Sequence, residues 1–111
     1  MSAADDVRVC LVTAPDAEVA QRIARALVDE QLAACVNIVP GMRSIYRWQG
    51  AVNDDAELLL IVKTTHAKLA ALADRLAVLH PYALPELVAL TPSGGSERYL
   101  DWVRAEVKGP I

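Results

Sequence analysis

Phenylalanine is absent from this chain of 111 residues, and the aromatic side chains are two Trp and three Tyr. A core built from such a sequence must be aliphatic, and each aromatic marks a position of interest. Cysteine is nearly as scarce. Cys10 and Cys35 stand apart with no CxxC pair, which excludes the disulfide framework of a small secreted domain. Each lies in an apolar run, the usual setting of a buried, reduced thiol. No apolar run approaches the roughly 18 residues of a membrane-spanning helix. The first six residues, Met1 to Asp6, lack the basic start and apolar stretch of a signal peptide. These absences lead us to expect a cytoplasmic protein with no membrane partner. Basic residues are not clustered and the net charge is −3, so no nucleic-acid partner is expected. There is no GxxxxGK[ST] sequence for a nucleotide loop. The SGGS of Ser93 to Ser96 reads as a turn followed by a helix cap.

What the chain does have is aliphatic bulk, with 54% apolar residues. The length fits one domain. A domain this small buries only about two-thirds of the surface its unfolded chain exposes. The apolar excess therefore points to burial against copies of itself, as symmetric oligomers are common. Residues 1–6 read as a disordered tail and 7–111 as the domain.

Val7 to Thr13 reads as a strand stopped by Pro15, with Asp16 placed to cap a helix over Ala17 to Gln31. In that helix Ala20, Ile23, Ala24, Leu27 and Val28 follow a helical period. Ala33 to Val39 is a second strand, broken by Pro40-Gly41 and resuming from Arg43 to Gln49. Strict alternation there puts Tyr46 and Trp48 on one face and the arginines Arg43 and Arg47 on the other. Gly50 to Asp55 carries turn residues. Glu57 to Thr64 has the near-continuous apolar run of a central strand, and together these strands make a long hairpin. His66 to Leu79 is a second helix with Leu69, Leu72, Ala73 and Leu76 inward, ended by Pro81. Glu86 to Leu90 is a fourth strand. Ser96 caps a last helix on which Tyr99, Trp102 and Val103 share a face.

The order β-α-β, β-α-β, then α predicts an α+β fold, the ferredoxin-like split βαβ sandwich: one four-stranded antiparallel sheet with both long helices on one face. One extra helix cannot easily cover the other face. Exposed apolar sheet invites pairing with another chain, so a homotrimer or other closed ring is expected.

Six segments carry a resemblance: VTAPD (Val12 to Asp16), LAACVNIVPG (Leu32 to Gly41), SIYRWQG (Ser44 to Gly50), ELLLIVKTT (Glu57 to Thr65), HPYALPEL (His80 to Leu87) and YLDWV (Tyr99 to Val103). Through them the chain resembles the CutA family from Val7 to about Val107. The resemblance implies a PII-like homotrimer with three sheets facing a central axis and the hairpin reaching a neighbour. It also implies an association with divalent-ion tolerance, copper especially, and no firmly attached enzymatic reaction. Some members carry a Cys at the place of Val12 and another near the end of the second helix. This chain has neither, which weakens a multi-thiolate copper site.

Three residues are candidate metal ligands. Cys35 offers a soft thiolate suited to Cu(I) and equally reads as a buried small hydrophobe. His80 offers an imidazole, or a structural role at a helix end. Glu86 offers a carboxylate. One Cys and one His cannot close a four-ligand site, so Glu57, Glu86 or a neighbouring subunit must contribute. A second constellation, Lys63, Tyr82 and Glu86 with Tyr46 and Trp48 arriving on the hairpin, reads as a cleft between subunits for a small ligand. It reads equally as an interface ion pair with aromatic packing. No catalytic triad can be assigned, and we expect no enzyme. Three functions remain open: a metal-tolerance trimer, a PII-like small-molecule signalling protein, and a structural scaffold.

Overall fold

The structure, a computed structural model, describes residues 3–108. Strand β1 is Val7–Ala14, and Asp16 then caps α1, Ala17–Asp29, its carboxylate accepting from the Val19 N–H at 2.9 Å. The buried stripe of α1 is Val19, Ala20, Ile23, Ala24 and Leu27. Val28, expected inside, is 41% exposed. The helix stops where Gln31 turns left-handed, at φ 58°, and Leu32 donates back to the Leu27 carbonyl, satisfying a carbonyl the helix leaves open.

Strand β2 runs from Cys35 to Trp48 and β3 from Ala51 to Thr65. The hairpin turn is Gln49-Gly50, with φ of 50° and 79°. Two consecutive positive φ values match the twist of a two-residue hairpin, so the turn lies here and not over Gly50 to Asp55. Asn53, Asp54 and Asp55 are instead paired strand residues opposite Tyr46, Ile45 and Ser44. A 3-10 turn, His66–Lys68, leads into α2, Leu69–Leu79, on which Leu72 and Leu76 are buried while Ala73 is exposed. Strand β4 is Val88–Leu90, shorter than the Glu86 to Leu90 expected. Helix α3, Glu97–Glu106, is capped by Ser96.

All pairings are antiparallel, in the order β2-β3-β1-β4. With two helices on one face this is the expected α+β, ferredoxin-like arrangement. Cys10, Val12 and Ala14 of β1 and Leu60 and Val62 of β3 meet Ile23, Leu27, Leu72 and Leu76 of the helices. Each fully buried aliphatic side chain contributes on the order of 1.5–3 kcal/mol.

The register puts the alternate residues on the opposite face. Leu11 lies between Ile61 and Val88, Val9 between Lys63 and Leu90, and Leu59 between Thr13 and Val39. Val39, Val88 and Leu90 are each more than two-fifths exposed. Helix α3 covers only one end of this face, where Val103 and Val107 pack with Val7 and Ala34. Of residues 1–6, Ala3–Asp5 form a 3-10 turn, and Asp6 accepts the His66 N–H at 2.8 Å. Met1 and Ser2 lie outside the described residues.

Candidate functional site

Strand β1 pairs with β3 only from Leu58 onward. The segment of β3 before it pairs with β2 alone and forms a two-stranded arm. At the root of the arm the ladder slips: Val39 faces Leu59, but the next pair is Met42 with Glu57. The extra residue sits at Pro40-Gly41, with Gly41 at φ 79°. Pro cannot donate to a ladder, and Gly takes positive φ without strain. A slip of one residue exchanges the faces of a strand. Below the bulge Cys35, Asn37 and Val39 lie on the open face of the sheet. Above it Ser44, Tyr46 and Trp48 do, on the same face as Glu57. The bulge therefore brings both aromatics over that carboxylate, and the two-face alternation read from sequence holds.

The cleft at this corner has a volume of about 530 Å3. Thr13 of β1, Glu57 of β3, Tyr46 and Trp48 of the arm, and Tyr82, Leu84 and Glu86 of the segment after α2 line it. Among the described residues no Lys, Arg or His is in its lining. Glu57 is only 7% exposed, and its Oε2 accepts the Tyr82 hydroxyl at 2.7 Å. Burial, then that hydrogen bond, push the Tyr82 phenol well above its ordinary range. The Glu86 carboxyl is raised, first by burial and second by the charge of Glu57. Tyr46 donates to Asp55 on the same face of the arm, and this bond, ahead of burial, raises its phenol.

His80 fixes the segment that carries Tyr82 and Glu86. The Tyr82 N–H donates to His80 Nδ1 at 3.1 Å, so Nε2 carries the proton and donates to the Thr13 carbonyl at 2.7 Å. The ring is 5% exposed and lies 4.5 Å from the Tyr82 ring. Both ring nitrogens are thus engaged within the chain, which is the structural arrangement read as the alternative to a metal ligand.

The other candidates divide between two places. Tyr46, Trp48, Tyr82 and Glu86 come together in this cleft of the single chain. Lys63 does not: it lies opposite Cys35 and Val9 on the open face, outside the cleft lining, and donates to Asn37 Oδ1. Cys35 Sγ is 3.9 Å from the same Asn37 oxygen. Cys35, His80 and Glu86 are thus not assembled within one chain, and among the described residues no group of three or more His, Cys, Asp and Glu is placed to hold a metal ion. Glu57, read only as a supplementary ligand, is the centre of the cleft. Its position opening the apolar run ELLLIV is the signal: alternation with Leu60 and Val62 places it on the open face. Thr13, Ser44 and Leu84 carried no such signal.

A four-stranded antiparallel sheet with two helices on one face, a largely open apolar face on the other and an acidic aromatic cleft at one corner defines a ferredoxin-like α+β domain. The chain belongs to the CutA1 divalent ion tolerance protein family, whose model matches residues 8–106. It is 59% identical over 96 residues to the divalent-cation tolerance protein CutA of Thermus thermophilus, spanning 86% of this chain and 93% of that protein. It is 46% identical over 96 residues to Protein CutA, chloroplastic, of Arabidopsis thaliana, of which it spans 53%. The chain thus spans nearly all of the bacterial relative and about half of the plant one. A solved structure of the Thermus thermophilus divalent cation tolerance protein superposes with a TM-score of 0.88 at 57% identity, covering 90% of this chain and 97% of that one. Among the described residues no helix is long and apolar enough to cross a membrane.

Proposed function

We propose that this protein acts in divalent-ion tolerance as a cytoplasmic homotrimer that holds divalent cations, copper(II) among them, in the acidic clefts between its subunits, and that it catalyses no reaction. One observation carries the reading: Glu57 and Glu86 line a cleft that has no basic side chain among the described residues of its walls. Two carboxylates in a partly desolvated site repel one another, and a cation relieves that repulsion. The donors are hard oxygens, which suit hard and borderline divalent ions and not Cu(I). They are too few to complete a coordination shell, so water and a neighbouring copy would supply the rest. The soft donor, Cys35, stands on the open face where copies would meet. The homotrimer itself is supported by that face, whose Leu11, Val39, Leu59, Ile61 and Val88 form a contiguous apolar surface in the register described.

A second reading has its own support. The cleft is far larger than a bare ion, and Tyr46, Trp48 and Leu84 give it apolar walls, as in pockets for small molecules. That favours a PII-like signalling protein. A thermal-shift and calorimetric panel of Cu2+, Zn2+, Mg2+ and small organic ligands separates the readings, because a ligand of the folded state raises apparent stability. Shifts with divalent ions, weakened about tenfold in Glu57→Gln/Glu86→Gln and unchanged in Cys35→Ala, support the cation cleft. Shifts with organic ligands alone support the second reading, and none at all leaves a scaffold.

A further inference from the structure

We propose a second, separate site on this domain, for a phosphate dianion. It lies at the end of the sheet remote from the arm, where the turn after β3 meets the end of α3. A cavity of about 400 Å3 opens there, walled by Thr65, Lys68, Arg104 and Lys108, with Val107 as its apolar side and Asp5 as the acid among its described lining residues. Three cations against Asp5 and against Asp101, which pairs with Arg104 beside the cavity, leave a local excess of positive charge where the chain as a whole carries −3. Lys68 and Lys108 form no ion pair among the described residues, whereas Arg8, Arg25, Arg43 and Arg75 each have an acidic partner. Arg104 is anchored from two sides: Nε donates to the Asp5 carbonyl at 2.9 Å and Nη1 to Asp101 at 2.8 Å. Its Nη2 donates to no described residue, so the guanidinium is held in place with one edge unspent.

The observation that points to a ligand is Thr65. This residue is 4% exposed and lines the cavity, yet its hydroxyl makes no hydrogen bond to the described residues. The neighbouring Thr64 hydroxyl donates to the Leu32 carbonyl at 2.7 Å. Among the described residues no polar side-chain atom is shut away from solvent without a partner, so the opening left to the Thr65 hydroxyl is the cavity itself. Asp16 and Ser96 spend their side chains capping the helices they precede. Thr65 precedes the helical segment 66–79 and makes no such cap. A buried hydroxyl, two uncommitted ammonium groups and a fixed guanidinium edge form a donor set for an anion with several acceptor oxygens. Donors converging from several directions favour such an oxyanion over chloride, which lacks separate acceptor atoms.

The site is independent of the acidic cleft and is tested apart from it. Inorganic phosphate and glycerol phosphate are titrated into the whole protein by calorimetry and phosphorus NMR, at constant ionic strength set with sodium chloride. The expected result is saturable binding at about 1 mM or below, weakened about tenfold in Lys68→Gln/Lys108→Gln. Thr65→Val weakens it as well, and Thr65→Ser restores it. Tighter binding of glycerol phosphate identifies a phosphorylated small molecule as the ligand, and equal affinities identify the free ion. Glu57→Gln/Glu86→Gln leaves phosphate binding unchanged. Absence of saturable binding up to about 10 mM, or equal affinity in wild type and the double-lysine variant, overturns the site, as does loss of phosphate binding in the Glu57/Glu86 variant.

Discussion

The two faces of the sheet are made by the same strands and do different work. Along β3, Leu60, Val62 and Thr64 are fully buried under the helices, while Leu59, Ile61 and Lys63 alternate with them on a face that α3 covers only at one end. From Leu58 to Thr64 the inner face of β3 carries no charge, and its one polar side chain, Thr64, donates to a carbonyl. The outer face mixes aliphatic residues with the Lys63–Asn37 pair and, beyond the bulge, with Glu57 and the aromatics. The difference teaches that residue type alone does not report burial here. Leu59 and Leu60 are adjacent and chemically identical, and the pleat assigns one to the stability of the chain and the other to what the chain meets.

The sharpest way to test that contrast is to truncate both. Leu60→Ala removes a fully buried side chain and is expected to cost about 2–5 kcal/mol in urea denaturation. Leu59→Ala, in a chain held monomeric, is expected to cost far less. Charging the outer face comes next. Ile61→Asp is expected to leave the circular dichroism of the fold intact and to abolish self-association, read by sedimentation. In that variant the Cys35 thiol becomes quickly reactive toward a chromogenic disulfide. Cys10 stays slow, because it is buried and burial lifts its pKa to about 11. Slow labelling of Cys35 in the dispersed variant would blur the distinction between the faces.

His80→Ala is expected to cost about 1–3 kcal/mol, since it leaves the Thr13 carbonyl and the Tyr82 N–H without partners. It should also weaken cation binding by loosening the Tyr82–Glu86 segment, whereas a metal-ligand role would show as loss of binding with stability unchanged. The smallest effect belongs to Glu86. Its carboxyl is raised in the folded state, so the native protein binds more protons than the unfolded chain from about pH 4.5 upward to the folded-state value. Stability contributed by this group therefore falls as pH rises through that window. Glu86→Gln is expected to flatten that part of the pH profile and to raise stability near neutrality by under about 1 kcal/mol, the group being solvent-screened.

Much of the fold was legible because its signals are local. The helical period of Ile23, Ala24 and Leu27, the caps at Asp16 and Ser96, and the stop at Pro81 each act within a turn or two of chain. The hairpin turn was misplaced because Asn53 and Asp54 have turn chemistry. Pairing with the opposite strand overrides it, and Gln49, a residue with no special liking for positive φ, takes the turn beside Gly50. The cleft aromatics were legible from their alternation and Glu86 from its place at the start of the expected fourth strand. Lys63 was not placed by the sequence, because which side chain it meets depends on the register of β2 against β3, which sets it beside Asn37. His80 was ambiguous for a physical reason: an imidazole that holds two backbone groups and one that holds a metal have the same sequence.

The proposed trimer requires the outer face to be covered by further copies of the chain. Static light scattering on the purified wild-type protein at micromolar concentration measures this directly. It is predicted to give a particle of three times the 12.0 kDa chain mass. A stable, folded particle of a single chain mass under the same conditions would contradict it.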